Sequence, residues 1–182
     1  MFEGKDYFPE LKVGTRQLYD IEYRGALGEP EKANMILSVD SEETINGHQY
    51  YKYIIAYSGL PGVDQDVVYQ RWTSAGIYAI DGRNADMRER LDTPFPVAVG
   101  SKWTSESPSE TDHYEAIGIE SLELREHTYR DCLKLSFDTQ SKNGPKRSGV
   151  EYLADGIGMV KTEVSGGALG ADISITIDSS KK

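Results

Sequence analysis

The chain has 182 residues and a mass of 20.3 kDa, a length that suits a single domain over 1–182. Its 30 acidic and 20 basic residues give a formal charge of −10, and we expect no nucleic-acid partner because such a field repels a polyanion. No stretch approaches the roughly 20 apolar residues that cross a bilayer as a helix, so we expect no transmembrane segment.

Alternating apolar and polar residues predict β-strands along most of the chain. The clearest case is Ile-Ser-Ile-Thr-Ile-Asp at 173–178, where apolar side chains recur at every second position. Asn-Gly and Asp-Gly pairs between such runs supply the positive φ angles that tight hairpin turns require. The polar segment 83–92 predicts either a strand or one helical turn. In chain order, all the predicted strands are 15–24, 32–41, 48–58, 66–74, 76–81, 101–106, 112–124, 131–139, 147–154, 158–165 and 172–178.

Two similar halves, about 8–92 and 93–178, indicate an internal duplication. Each half opens with Phe-Pro followed by Val-Gly, and each continues into a long pair of strands joined by a turn. Many short strands with frequent turns are typical of antiparallel all-β folds. We therefore predict one domain in which both halves share a single curved antiparallel sheet or half-open barrel.

Three motifs are spread over nearly the whole chain. They read Tyr-Phe-Pro-x-x-x-Val-Gly at 7–14, Val-Gly-x-x-Trp-Thr at 99–104 and Tyr-x-Ala-x-Gly-Ile-Gly-x-Val-Lys at 152–161. With these motifs the chain resembles a group of bacterial cell-envelope proteins of unknown function, many of them exported or lipid-anchored. The resemblance implies a fold similar to that of periplasmic lipoprotein carriers. It implies no catalytic residues. We also expect no cofactor.

The resemblance also implies export to the periplasm or cell envelope, with the leader absent from this chain. The opening residues 1–6 lack the basic start and apolar stretch of a secretory signal. The single cysteine, Cys132, cannot close an intrachain disulfide that would indicate an oxidising compartment. A cytoplasmic location is the alternative.

Aromatic residues give the main functional signal. Tyr51, Tyr53 and Tyr57 share one face of a predicted strand because side chains alternate, and Trp72 and Trp103 occupy other predicted strands. Aromatic rings with a polar edge suit a groove that holds an acyl chain, a sugar or a peptide. We predict that these five residues bind a lipid or another amphipathic ligand, or a segment of an envelope partner, on the concave face. The alternative is ordinary packing within the sheet.

Two other functions are considered. His48 and His127 occupy corresponding turns of the two halves, so pseudo-symmetry could bring them together with carboxylates as a metal-dependent hydrolase site. Open sheet edges could instead pair with a partner chain, which would make the protein a scaffold. No Gly-x-Ser-x-Gly elbow for a nucleophilic serine is present. The leading prediction is therefore a non-enzymatic envelope protein.

Overall fold

In the computed structural model, the residues described are 4–24, 28–82, 87–166 and 172–178. Within them, one short 3-10 helix, Gly4–Tyr7, is followed only by strands, so the predicted all-β class is confirmed. No helix of these ranges is long and apolar enough to cross a membrane. The twelve strands are β1 (Arg16–Arg24), β2 (Pro30–Ile45), β3 (His48–Ser58), β4 (Gln65–Thr73), β5 (Gly76–Asp81), β6 (Arg90–Pro94), β7 (Lys102–Glu106), β8 (Glu110–Leu124), β9 (His127–Ser141), β10 (Arg147–Ala154), β11 (Gly158–Ser165) and β12 (Ile173–Ile177).

All twelve strands form one sheet in the order β6-β5-β4-β3-β2-β1-β12-β11-β10-β9-β8-β7. Each half of the chain is thus a meander, in which every strand pairs with its neighbours in sequence. The first meander contains β1–β6 and the second contains β7–β12. They join where β1 and β12 pair antiparallel, with Ile21 opposite Ile175.

The sheet curves until its outermost strands, β6 and β7, meet at a seam. Trp103 Nε1 donates a hydrogen bond across this seam to the Asp92 backbone carbonyl at 3.0 Å. Ser105 Oγ donates to the Asp92 carboxylate at 3.1 Å, and Arg90 Nε donates to Ser105 Oγ at 3.2 Å. Side-chain hydrogen bonds therefore bring the sheet close to a closed barrel, which confirms the predicted curvature.

Two chain segments, 6–11 and 94–98, form a cap over one end of the barrel. On one wall the Tyr7 hydroxyl donates to the backbone carbonyl of Asp131 in β9 at 2.7 Å. On another wall, Trp72 Nε1 of β4 donates to the backbone carbonyl of Phe8 at 3.0 Å. The rings of Phe8 and Phe95 meet with their centroids 6.1 Å apart. The two Phe-Pro motifs of the sequence thus pack against each other in the cap.

The turns that precede β1 and β7 have the same hydrogen-bond pattern. The Gly14 amide donates to the Val39 carbonyl at 2.9 Å, and the Gly100 amide donates to the Ala116 carbonyl at 2.7 Å. Both glycines have φ near +90°, at 89° and 92°, where a side chain would be strained. This parallel supports an internal duplication, which stays a prediction.

Apolar side chains pack on both faces of the sheet. Inside the barrel, a cluster around Tyr19 and Ile21 lies at the junction of the two meanders. Outside, the tip of the β8–β9 hairpin packs Leu122 and Leu124 onto a cluster in β9–β11 that includes Tyr152. Arg125, at the same tip, forms ion pairs with Asp20 and Asp178. The hairpin therefore covers part of the outer face.

The observed strand bounds agree with the predicted bounds except at the long hairpins and at β6. Strand β2 continues to Ile45 and β9 begins at His127. These extensions are polar, and the strand register shifts before them, after Val39 in β2 and after Ala116 in β8. Apolar–polar alternation therefore does not predict them. For 83–92 a strand or a helical turn is predicted; strand β6 overlaps only the end of this segment and continues to Pro94, and 83–86 lie outside the described residues.

Candidate functional site

The inner face of the barrel lines a partly open cavity of about 510 Å³, to which both meanders and the cap contribute. Its volume lies within the range of roughly 300–1,000 Å³ that is common for small-molecule sites. One side, which we call the apolar wall, consists of Met35, Leu37, Ile55, Val68 and Ile175. The opposite side, which we call the acidic wall, carries Asp92, Glu110, Asp112 and Glu151. The cavity is therefore amphipathic.

Three of the five predicted binding residues line this cavity, namely Tyr53, Trp72 and Trp103. The rings of Tyr53 and Trp72 lie 6.1 Å apart. Trp103 stacks on Tyr114, with centroids 5.1 Å apart and planes inclined by 13°. Both indole NH groups are engaged by backbone carbonyls of the cap and the seam, so a ligand would meet the ring surfaces. Their role in binding stays a prediction.

Tyr53 also brings a hydrogen-bond donor to the cavity. The residue is 4% exposed, and its hydroxyl proton has no acceptor among the described residues. Burial raises the pKa of this hydroxyl above its usual value, so the group stays protonated at any physiological pH. A buried donor without an acceptor is costly, and a ligand oxygen or nitrogen could satisfy it.

The other two predicted residues, Tyr51 and Tyr57, lie outside the cavity lining. Tyr51 meets the edge of Trp72 at 6.4 Å. Tyr57 packs on the cluster that contains Tyr19 and Ile21. Alternation places both on the same face as Tyr53, but the cavity reaches only the middle of β3. For these two residues the structure shows packing contacts within the sheet.

At the seam, the acidic wall begins with Asp92. Its carboxylate accepts a hydrogen bond from Ser105, and Arg90 Nε lies 3.5 Å from it. Burial raises the pKa of Asp92, and nearby Asp112 adds to the rise, whereas Arg90 and Ser105 oppose it. This carboxyl is thus partly neutralised by a fixed partner on its own strand.

Two further carboxylates of the acidic wall also have partners. Arg147 donates to Glu110 at 2.6 Å. The Thr139 hydroxyl donates to Asp112, also at 2.6 Å. These bonds hold both carboxylates against the barrel wall near the hairpins β7–β8 and β9–β10, away from the cap.

Glu151 differs from the other carboxyls of this wall. It lies in β10 between Leu135 of β9 and Thr162 of β11. Among the described residues it has no hydrogen-bond partner and no ion-pair partner. Burial raises its pKa to about 7, and the charge of Asp92 contributes to the rise. At neutral pH this carboxyl is therefore close to half ionised.

The histidines proposed for a hydrolase are far from this arrangement in the fold. His48 begins β3 and His127 begins β9, each at the exposed tip of its own hairpin. Across the part of the chain that the structure describes, no three His, Cys, Asp or Glu side chains are close enough to hold a metal ion. The arrangement gives the hydrolase hypothesis no support.

The sequence patterns do not reveal the acidic wall. In Val150-Glu151-Tyr152-Leu153, apolar side chains stand on both faces of the strand, so alternation does not tell which face is inside. Asp92 belongs to a polar stretch without alternation. The one available signal is a carboxyl residue flanked by apolar residues on both sides in the sequence, and among the four carboxyls only Glu151 shows it.

Comparisons with known proteins concern the fold. No family model and no curated protein matches the chain in sequence. A Bacteroides fragilis protein, thought to be exported and described as having a YmcC-like fold, is similar with a TM-score of 0.53; it is 11% identical, over 91% of this chain and 94% of that chain. A Parabacteroides distasonis protein, thought to be a lipoprotein, has a TM-score of 0.46 and 14% identity, over 94% and 96%. At such identities the first likeness shows a common fold alone.

Proposed function

We propose that this protein is a non-enzymatic binding protein of the bacterial cell envelope and that it holds a small amphipathic ligand inside the barrel. The observation that carries the proposal is the cavity of about 510 Å³, with an apolar wall on one side and an acidic wall on the other. Burial of apolar ligand surface on such a wall supplies roughly 25 cal/mol per Å². The polar side would fix the orientation of the ligand.

The envelope location rests on two supports. The three motifs at 7–14, 99–104 and 152–161 resemble those of exported and lipid-anchored proteins. The Bacteroides fragilis protein with a similar fold is thought to be exported.

Intrinsic fluorescence offers a direct test of ligand binding. The chain has two tryptophans, and both line the cavity. We expect 1-decanol or decylamine, added below the concentration at which it aggregates, to shift the tryptophan emission in a saturable way. A ligand that binds elsewhere would leave this emission unchanged. An emission shift that grows with ligand concentration without reaching a plateau would contradict the proposal.

A pair of matched variants separates the cavity from the opposite face of the sheet. Leu37 and Ile55 face each other across β2 and β3 and line the cavity, whereas the adjacent Ile36 and Ile54 do not. The double variant Leu37→Phe/Ile55→Phe should narrow the cavity and weaken binding of 1-decanol by about tenfold or more, as expected for losing the burial of a few methylenes. The control Ile36→Phe/Ile54→Phe should bind 1-decanol as the unmodified protein does. Equal weakening in both variants would refute the cavity as the site.

A further inference from the structure

The charges on the acidic wall are not balanced. Two guanidinium groups accompany two of the four carboxyls: Arg147 pairs with Glu110, and Arg90 lies beside Asp92. Asp112 accepts a hydrogen bond from the uncharged hydroxyl of Thr139. Glu151 accepts no hydrogen bond from the described residues. The wall therefore carries an excess of negative charge and one carboxyl without a partner.

The groups that face Glu151 do not supply that partner. Asp92, across the seam in β6, raises the pKa of Glu151. Burial raises the pKa of the hydroxyls of Tyr19 in β1 and Tyr114 in β8 above the usual value, and the charge of Glu151 adds to both rises. Arg147, in the same strand, is engaged by Glu110. The three histidines are exposed and none lines the cavity.

A carboxylate that has lost part of its hydration and has no partner is unfavourable. It can be relieved in two ways, by taking up a proton or by binding a cation. Glu151 takes the first way when no cation is near it, because its pKa of about 7 keeps it partly neutral. A positively charged ligand group would provide the second way and would also form charge-assisted hydrogen bonds.

We propose that the ligand of this cavity is a small amphipathic amine whose ammonium group binds the Glu151 carboxylate while its apolar part lies on the apolar wall. This inference rests on the proposed function and specifies its ligand class. The ammonium group is compact and offers three donors to the Glu151 carboxylate. Carboxylates and phosphates would be repelled by the same wall, which excludes fatty acids and phosphate-bearing lipids as ligands.

Three probes with one chain length test the head group: decylamine, 1-decanol and decanoate, titrated calorimetrically into the full chain at pH 8. We expect decylamine to bind at least about tenfold more tightly than 1-decanol, since a charge-assisted hydrogen bond is stronger than the neutral one that a hydroxyl group forms. Decanoate should bind most weakly. Tighter binding of 1-decanol or decanoate than of decylamine would overturn the inference while leaving the proposed function intact. Absence of binding for all three probes would overturn both.

A charge-neutral variant assigns the effect to Glu151. In Glu151→Gln, decylamine should lose about tenfold in affinity, and 1-decanol should bind as before. Glu163→Gln is the matched control, because Glu163 is exposed on the neighbouring strand and is paired with Lys161 at 2.8 Å. It removes the same charge from the protein and should leave both affinities unchanged. Unaltered decylamine binding by Glu151→Gln would refute the assignment.

The pH dependence gives a measurement that needs no variant. Because Glu151 has a pKa of about 7, binding of an ammonium below pH 7 must first remove its proton. Decylamine affinity should therefore rise about tenfold from pH 6 to pH 8, whereas 1-decanol affinity stays constant. A decylamine affinity that does not change over this range would contradict the role of Glu151.

Discussion

At the scale of single residues, Glu151 makes stability depend on pH. Its pKa is raised from 4.5 to about 7 in the folded protein, so the folded state binds a proton more tightly than the unfolded chain does. The stability that this proton provides is fully present below about pH 4.5 and is lost as the pH rises through 7. Its upper limit is about 3 kcal/mol, at about 1.4 kcal/mol for each unit of pKa.

We therefore expect Glu151→Gln to be more stable than the unmodified protein at pH 8, by up to about 3 kcal/mol, and equally stable at pH 4. Glutamine keeps the shape of the side chain and cannot ionise. Urea unfolding at both pH values would measure the difference, with Glu163→Gln as the control that follows the unmodified protein. Parallel pH profiles for Glu151→Gln and the unmodified protein would show that this carboxyl ionises freely.

The same residues show what the sequence can and cannot predict about the site. Alternation places Tyr53 and Trp72 on strands, and in the structure both face the cavity. Alternation does not place Glu151 on the inner face, because its neighbour Tyr152 is buried on the other face, under the β8–β9 hairpin. When both faces of a strand are covered, the inside can be recognised only from the pairing of strands that are distant in sequence.

At the scale of strands, Gly149 permits close packing inside β10. A methyl group at this position would lie 2.2 Å from the Glu163 carbonyl and 2.6 Å from the Phe137 ring. The carbonyl belongs to the adjacent strand β11 and cannot withdraw without disturbing the pairing of β10 with β11. The ring of Phe137 lines the cavity, so its position also matters for the site.

Gly149→Ala should accordingly lower the free energy of unfolding by about 1–3 kcal/mol, the usual cost of overpacking a core. Gly118→Ala in β8 is the matched control, because no atom lies within 4 Å of the added methyl group. It should leave stability unchanged or raise it slightly, since alanine restricts the unfolded chain. Chemical denaturation would measure the free energy of unfolding of both variants. Equal values would mean that β10 and β11 can move apart to accommodate the methyl group, which would contradict the prediction.

Most strands are predictable because each meander is local. The paired runs lie next to each other in sequence, and Asn-Gly or similar turns separate them. The bounds of β6 are less predictable, because Arg90–Pro94 has no regular alternation and gains its partner β5 through tertiary pairing. The polar ends of the long hairpins escape prediction for the same reason.

At the scale of the whole molecule, three side-chain hydrogen bonds join β6 and β7 across the seam among the described residues. Trp103→Phe removes the hydrogen bond from Nε1 to the Asp92 carbonyl and should cost about 1–2 kcal/mol. Hydrogen exchange should become faster in β6 and β7 before any other strand. The control Trp72→Phe also removes one indole hydrogen bond, to Phe8 in the cap, and should speed exchange there instead. Identical exchange patterns in both variants would contradict a separate seam.

The junction of β1 with β12 has a kinetic consequence. Residues such as Ile21 and Ile175 come from opposite ends of the chain, whereas all other ladders connect consecutive strands. Contacts between distant parts of a chain form slowly, because a long loop must close before they contribute energy. During synthesis the first meander is complete long before its partner strand emerges. Until then β1 is an unpaired edge strand, which exposes it to pairing with a second nascent chain.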